Sequence, residues 1–155
     1  MKVIGITGGV GAGKTQVLSY IEAHYRCRIV RADEAAHFLY EPGQECYQGL
    51  VGLLGQQILN TDRTINRKKM AEIIFREQKL LEHVNQIVHP AVKKYILEQI
   101  AYEREKGEAD YFFIEAALLI EEHYDRIADE LWYIHSDAAV REQRLARSRH
   151  YSAQK

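Results

Sequence analysis

The sequence is poor in cysteine and proline, with two of each among 155 residues. Cys27 and Cys46 fit neither the ligand spacing of a zinc site nor the paired pattern of a disulfide framework. A chain of this length buries about 70% of its unfolded surface, so it needs no covalent staple. The scarcity of cysteine argues against a disulfide-rich secreted scaffold and predicts a cytoplasmic protein.

Excess charge and long apolar runs are lacking as well. The formal net charge is −1, so the chain as a whole is not built to attract nucleic acid or an anionic membrane. The longest uninterrupted apolar run, residues 116–120, is far too short to cross a bilayer. The apolar residues at the N-terminus are interrupted by glycines and do not read as a signal peptide. We therefore expect no nucleic-acid partner and no membrane partner, while the oligomeric state stays open.

The sequence does contain a glycine-rich motif near its N-terminus. Residues 8–15 read GGVGAGKT and fit the pattern G-x-x-x-x-G-K-[ST]. A β-rich run precedes the motif and apolar residues at helical spacing follow it, which predicts the strand, loop and helix that phosphate binding requires. The loop N–H groups would converge on a phosphate, Lys14 would reach the β- and γ-phosphates, and the Thr15 hydroxyl would ligate Mg²⁺. The motif therefore predicts ATP and Mg²⁺ as cofactors.

A second strand is predicted over residues 27–32, after a helix over residues 13–25. Strand, helix and strand with a short return imply a parallel pair with a right-handed crossover. Asp33 would lie at the carboxyl end of this second strand, where open α/β sheets place their ligands. Asp33 would also suit the N-cap of a helix over residues 34–40. Both roles are compatible, and both are kept.

Residues 44–106 are predicted to be nearly all helix, with Asn66 capping one segment and a break at His89-Pro90. This helical insertion would hold a second substrate. The sheet resumes over residues 111–114 and ends at Glu115, and residues 131–135 form a fourth strand. The Glu115 carboxylate would hold Mg²⁺ through water or contact the acceptor. Alternatively, it is a salt-bridged carboxylate at a strand end.

A basic segment follows the fourth strand. Asp137 and the serine before it are predicted to cap a helix from residue 138 onward. Arg141, Arg144 and Arg147 share roughly one face of this helix, where like charges repel unless an anion lies between them. One interpretation is a solvated basic helix. The other, which we favour, is a lid whose arginines bind phosphate oxygens beside the glycine loop.

Several motifs together resemble one family. Residues 4–15, IGITGGVGAGKT, are similar to the opening of the dephospho-coenzyme A kinases. Further stretches agree with this family in order and spacing: ADEAAH at 32–37, EPG at 41–43, IVHP at 87–90, and REQRL at 141–145 followed by Arg147. The glycine loop alone is shared by very many nucleotide-binding proteins. The combination is far more selective, and it covers essentially the whole sequence.

The resemblance implies transfer of the γ-phosphoryl group of ATP to the ribose 3′-hydroxyl of dephospho-coenzyme A, giving coenzyme A and ADP. It implies a three-layer α/β P-loop kinase fold with a parallel sheet. The implied parts are a core at 1–40 and 108–136, a helical substrate-binding insertion at about 41–107, and an Arg-rich lid at about 137–155.

The resemblance also implies roles for individual residues. Lys14, Asp33 and Arg141 would be catalytic, with Asp33 accepting or orienting the 3′-hydroxyl proton. His89 and Glu115 would face the acceptor, although His89 at a helix start is equally suited to packing. The residues expected to contact ATP are Gly9, Gly11, Ala12, Gly13, Lys14, Thr15 and Gln16, with Thr15 also on the metal.

Two departures from the family pattern and two alternatives in function remain. An Asp/Pro-containing stretch of the family is replaced here by EAALL at 115–119, which leaves the acidic contact open. Family members continue past the lid into another helix and strand, whereas this sequence ends at Lys155, so we expect a fragment or a shortened variant. The first alternative function is another small-molecule or nucleoside monophosphate kinase of this architecture. The second is a nucleotide-binding module without catalysis.

Overall fold

The structure is a computed structural model that describes residues 1–149; residues 150–155 of the predicted lid lie outside this range. Residue contacts divide the chain into two compact units, and each is described by itself. The first unit comprises Met1–Arg31 and the chain from Ile100 onward, and the second is Ala32–Gln99. The predicted α/β class with a parallel sheet is confirmed.

Four strands build the sheet of the first unit: β1 (Lys2–Gly8), β2 (Cys27–Arg31), β3 (Tyr111–Glu115) and β4 (Glu130–Ile134). Their order across the sheet is β2-β3-β1-β4, and every neighbouring pair is parallel. The predicted direct pairing of β1 with β2 is wrong. The strand β3, which returns from 80 residues later in the chain, lies between them. The helical crossover therefore skips one strand position instead of returning to the adjacent one.

Apolar side chains on the central strands hold helix α1 (Lys14–His24) against the sheet. Ile4 and Ile6 alternate along β1 with a glycine between them, and both are buried. They pack with Leu18 and Ile21, which are three residues apart and lie on one face of α1, and with Phe113 of β3. Fixing α1 against this core also fixes the loop that joins it to β1.

Short helices and one long helix form the second unit. They are α2 (Ala32–Leu39), α3 (Tyr47–Leu54), a 3-10 turn (Gln56–Ile58), α4 (Arg67–Ile74) and α5 (Gln78–Lys106), whose last turns belong to the first unit. Asn66 caps α4 as predicted, because its side chain accepts the Lys69 N–H at 3.0 Å. Asp33 differs from prediction, since α2 begins one residue before it and Asp33 lies within the first turn.

The break predicted at His89-Pro90 is wrong, because α5 runs through Pro90 without interruption. Proline removes one N–H from the helical ladder and so frees the carbonyl four residues earlier, at a cost of about 3 kcal/mol in an isolated helix. Four of the residues that surround the proline on this helix are buried, and their packing offsets that cost: Val88, Ala91, Val92 and Ile96. Tertiary burial has outweighed local propensity.

The last described helix, α6, spans Ala138–Arg149 and begins where the sequence predicts. The Arg141 N–H donates to the Asp137 carbonyl at 3.0 Å, which closes its first turn. Among residues 1–149, no helix is both long enough and apolar enough to span a membrane.

Candidate nucleotide and acceptor sites

The glycine loop joins the last residue of β1, Gly8, to the first residue of α1, Lys14. Gly13 precedes the helix in a left-handed conformation, with φ of 100°, and no side chain caps the helix start. The N–H groups of the first turn of α1 therefore have no side-chain acceptor at the N-cap, where the helix dipole also favours an anion. This is the geometry that binds a phosphate group.

Two of the loop glycines have an atom closer than 3.0 Å to the position a Cβ would take, a backbone oxygen at Gly8 and the end of a flexible side chain at Gly13. A Cβ on Gly8 would overlap the backbone carbonyl oxygen of Ile134, its partner on β4. A Cβ on Gly13 would lie 2.8 Å from Nη1 of Arg144. The absence of a side chain at Gly8 thus allows β1 and β4 to pair closely at this end of the sheet.

The Lys14 side chain lies across this loop. Its Nζ donates to the carbonyl oxygen of Gly8 at 2.5 Å and lies 3.4 Å from that of Gly9. The ammonium group is therefore held within the loop, at the start of the helix, by neutral carbonyl oxygens. Thr15 and Gln16 follow on the first turn of α1, and both are exposed. The buried loop residue is Ala12, whose N–H donates to the Gly9 carbonyl at 3.1 Å.

Two arginines of α6 reach the same loop. Nη1 of Arg144 donates to the carbonyl oxygen of Gly11 at 3.3 Å. Nη1 of Arg141 lies 3.0 Å from the position that a Cβ on Gly9 would take. Both arginines are half-buried, whereas Arg147 on the same helix is exposed. The lid interpretation placed Arg144 with Arg141 beside the glycine loop, but the sequence did not predict its individual contact with the Gly11 carbonyl.

Glu115 ends β3 at the carboxyl edge of the sheet, in register with Ile6 of β1 and Arg31 of β2. Its carboxylate forms an ion pair with Arg31, with 3.3 Å between Nε and Oε2. This is the salt-bridged arrangement considered above as the alternative. A carboxylate in an ion pair can still contact Mg²⁺ through a water molecule. The Arg31 pair is therefore compatible with the Mg²⁺ role as well.

Two oxygen donors of the first unit suit Mg²⁺. Oxygen ligands are available from the exposed Thr15 hydroxyl and the half-buried Glu115 carboxylate. No group of three His, Cys, Asp or Glu side chains within residues 1–149 forms a metal cage. Mg²⁺ needs no such cage, because it is usually held by one or two protein oxygens together with water and phosphate oxygens.

The second unit carries the other predicted residues. Asp33 is exposed on the first turn of α2, and its Oδ1 accepts the Glu34 N–H at 2.9 Å. His89 lies within α5 and is half-buried, rather than at a helix start. The predicted position of His89 at a helix start is therefore wrong. The roles of Asp33 and His89 toward an acceptor remain predictions.

A cavity of about 300 Å³ in the second unit was not anticipated from the sequence. Nη1 of Arg67 donates to Nδ1 of His37 at 2.6 Å along its wall. Burial raises the pKa of the nearby Tyr40 hydroxyl, and the positive charge of Arg67 partly offsets this. The residues that line the cavity are His37, Phe38, Tyr40, Glu41, Ile65 and Arg67.

Comparison with known proteins identifies the family. The sequence profile described as CoaE, dephospho-CoA kinase, matches residues 2–155. The chain belongs to the dephospho-CoA kinase family. A dephospho-CoA kinase of Dehalococcoides mccartyi is 35% identical over 134 residues, which cover 86% of this chain and 66% of the relative. A dephospho-CoA kinase of Listeria monocytogenes is 39% identical over 130 residues, covering 84% and 64%. The chain thus spans slightly less than two thirds of the length of these two dephospho-CoA kinases.

A solved structure shares this fold. The crystal structure titled TT1252 from Thermus thermophilus superposes with a TM-score of 0.76 at 23% identity, over 97% of this chain and 74% of that one. At this identity the similarity establishes the fold alone.

Proposed function

We propose that this chain transfers the γ-phosphoryl group of ATP to the 3′-hydroxyl of dephospho-coenzyme A. The single observation that carries the proposal is the convergence of Lys14, Arg141 and Arg144 on the glycine loop, in a chain of the dephospho-CoA kinase family. The reaction also needs a group that accepts a proton, and the Asp33 carboxylate at the start of α2 would serve as that group.

The loop and its cations would act on the phosphates. Phosphoryl transfer depends on positioning and charge stabilisation rather than on covalent chemistry by the protein. Backbone N–H groups at the start of α1 would bind phosphate oxygens, and Lys14 would move from the loop carbonyls to the β- and γ-phosphates. Arg141 and Arg144 would stabilise the charge that develops on the transferred group, because guanidinium groups match phosphate oxygens bidentately.

Mg²⁺ is part of the proposal, with Thr15 as its protein ligand; when bound, it neutralises charge on the phosphate oxygens. Asp33 would accept the proton of the 3′-hydroxyl as that oxygen attacks the γ-phosphorus. The exposed position of its carboxylate leaves Oδ2 open to a substrate hydroxyl while Oδ1 accepts the Glu34 N–H.

Both cysteines are free thiols, which accords with a reducing, cytoplasmic setting.

A coupled assay of ADP release tests the proposal. The chain is incubated with ATP, Mg²⁺ and one acceptor at a time: dephospho-coenzyme A, adenosine monophosphate or shikimate. We expect turnover with dephospho-coenzyme A only, and none in the Lys14→Ala variant. Turnover with another acceptor in place of dephospho-coenzyme A would overturn the proposal in favour of a different small-molecule kinase. ATP binding without any turnover would favour a nucleotide-binding module.

A further inference from the structure

The cavity of the second unit lies between α2 and the residues that lead into α4. Its volume of about 300 Å³ is at the lower end of the range typical of small-molecule sites. All of its lining residues belong to the second unit, so its geometry does not depend on the glycine loop.

The positive charge of Arg67 is not neutralised by a carboxylate. Its guanidinium donates to Nδ1 of His37, and within residues 1–149 it takes part in no ion pair. Because arginine is only a donor, Nδ1 of His37 is the acceptor in this hydrogen bond, and Nε2 is the ring nitrogen that can donate. The cavity therefore offers an arginine with four unused N–H donors and one further imidazole N–H.

The other lining groups indicate that the ligand is an organic phosphate rather than a free anion. Phe38 is 46% exposed although it is a large apolar residue, and its ring centroid lies 5.6 Å from that of Tyr95. Apolar rings beside a cation form the wall expected for an aromatic or alkyl phosphate ester. Glu41 disfavours a small, highly charged anion, and its carboxylate can accept a hydrogen bond from a ligand N–H or O–H.

Asp33 and His37 are four residues apart on α2, so their side chains project from the same face. Their separation along the helix axis is about 6 Å, one turn. This distance is comparable with that between the 3′-oxygen and the 5′-phosphate of one ribose. A ribose lying along α2 with its 3′-hydroxyl at Asp33 therefore directs its 5′-phosphate to His37 and Arg67.

We propose that the cavity binds the 5′-diphosphate of the acceptor nucleotide, with Arg67 and the His37 Nε2–H as donors and Phe38 against the adjoining apolar part. The proposal rests on the function proposed above, since it assigns a subsite to the same acceptor. Arg67 and His37 are binding residues in this scheme, and neither acts on the transferred phosphoryl group.

Kinetics of Arg67→Ala test the subsite, with Lys68→Ala as the matched control, since Lys68 is the next exposed cation and does not line the cavity. We expect Arg67→Ala to raise KM for dephospho-coenzyme A by about 10- to 100-fold, as for loss of a charge-assisted hydrogen bond. KM for ATP should be unchanged. Adenosine, which lacks the diphosphate, should inhibit equally weakly in wild type and variant at saturating ATP.

Other results would overturn the subsite. One is an equal KM for dephospho-coenzyme A in Arg67→Ala and Lys68→Ala. The other is an equal loss of affinity for adenosine and for dephospho-coenzyme A in Arg67→Ala. If Arg67→Ala unfolds, Arg67→Lys and His37→Gln take its place, and we expect smaller increases in the same KM.

If wild type gives no turnover, the proposed function fails, and calorimetric binding of dephospho-coenzyme A then decides the subsite. Binding that Arg67→Ala weakens would support it, and binding that is absent or unaffected would reject it.

Discussion

The glycine loop and the cavity of the second unit hold their cationic side chains in different ways. The loop uses consecutive residues and backbone groups, with a lysine anchored to carbonyl oxygens only five and six residues away. The cavity uses side chains, and its central contact joins His37 to Arg67 across 30 residues of sequence. A motif in the sequence therefore reveals the first site but not the second. We therefore expect substitutions in the glycine loop to change the kinetics with ATP and substitutions in the cavity to change the kinetics with the acceptor.

The largest effect is expected for Lys14→Ala. Loss of the cation from the loop should lower kcat/KM by at least about 10³-fold and weaken ATP binding, because its charge acts on the transferring group. Steady-state kinetics and calorimetric titration with ATP measure the two effects. Lys79→Ala, an exposed lysine of the second unit, is the control and should be unaffected. A Lys14→Ala variant with normal turnover would remove the loop from the mechanism.

Arg141→Ala should lower kcat by about 10²- to 10³-fold and change KM for the acceptor little, since an arginine on the transferring group acts mainly in the transition state. The same assay on Arg147→Ala gives the matched control, because Arg147 is an exposed arginine of the same helix. Similar losses in both variants would mean that the basic charge of α6 matters and the position of Arg141 does not.

Asp33→Asn tests the acceptor side of the comparison. The amide keeps the shape of the carboxylate but cannot take the proton, so kcat should fall at least about 10²-fold. ATP affinity, measured by titration, should stay at the wild-type value. Glu34→Gln removes the neighbouring charge on the same turn of α2 and serves as the control. Near-normal kcat in Asp33→Asn would exclude it as the general base.

Gly8→Ala should reduce stability rather than act on chemistry alone. The added methyl overlaps the Ile134 carbonyl, so β1 and β4 must separate locally, at a cost of about 1–3 kcal/mol in the free energy of unfolding. Urea denaturation gives this value. Gly52→Ala is the matched control, because Gly52 lies within α3 with open space around it. That variant should be more stable by about 0.5–1 kcal/mol, from helix propensity.

The last effect, which is absent at neutral pH, concerns Tyr124, which is buried in the first unit. Burial raises the pKa of its hydroxyl to about 12, above the value of about 10 in an unfolded chain. The unfolded state therefore releases this proton first, and stability falls as pH rises from about 10 to 12, by at most about 1.4 kcal/mol per pH unit. Below pH 10 the contribution is constant. Denaturation series of wild type and Tyr124→Phe should diverge above pH 10, with wild type losing more; parallel curves would contradict this.

Local features of this chain were predictable because neighbouring residues determine them. The glycine loop, the Asn66 cap and the start of α6 depend on residues within one or two turns. The order of the strands was not predictable in the same way, since β3 enters between β1 and β2 from a distant part of the sequence. The continuity of α5 through Pro90 has the same origin, because buried neighbours decide it.

The residues of the candidate sites divide in the same way, into those that a local pattern predicts and those that only the fold brings together. Lys14 and Arg141 were predicted from a motif and a charge pattern, and the structure brings both to the loop. The contact of Arg144 and the pair His37–Arg67 depend on where α6 and α4 lie, which no local pattern encodes. Glu115 was predicted with two interpretations, and the position of Arg31 on the neighbouring strand β2 gives it an ion-pair partner.

The strand β4 has a consequence for handling the protein. It is last in the order of the four described strands. The backbone N–H and C=O groups on its outer side therefore pair with none of the other three. Leu131, Trp132 and Tyr133 along it are all more than a third exposed. An outer strand of this kind is a template on which a second polypeptide can add its own strand. A strand from another polypeptide would pair with β4 among the described strands, and sedimentation of the chain at several concentrations measures whether such pairing occurs.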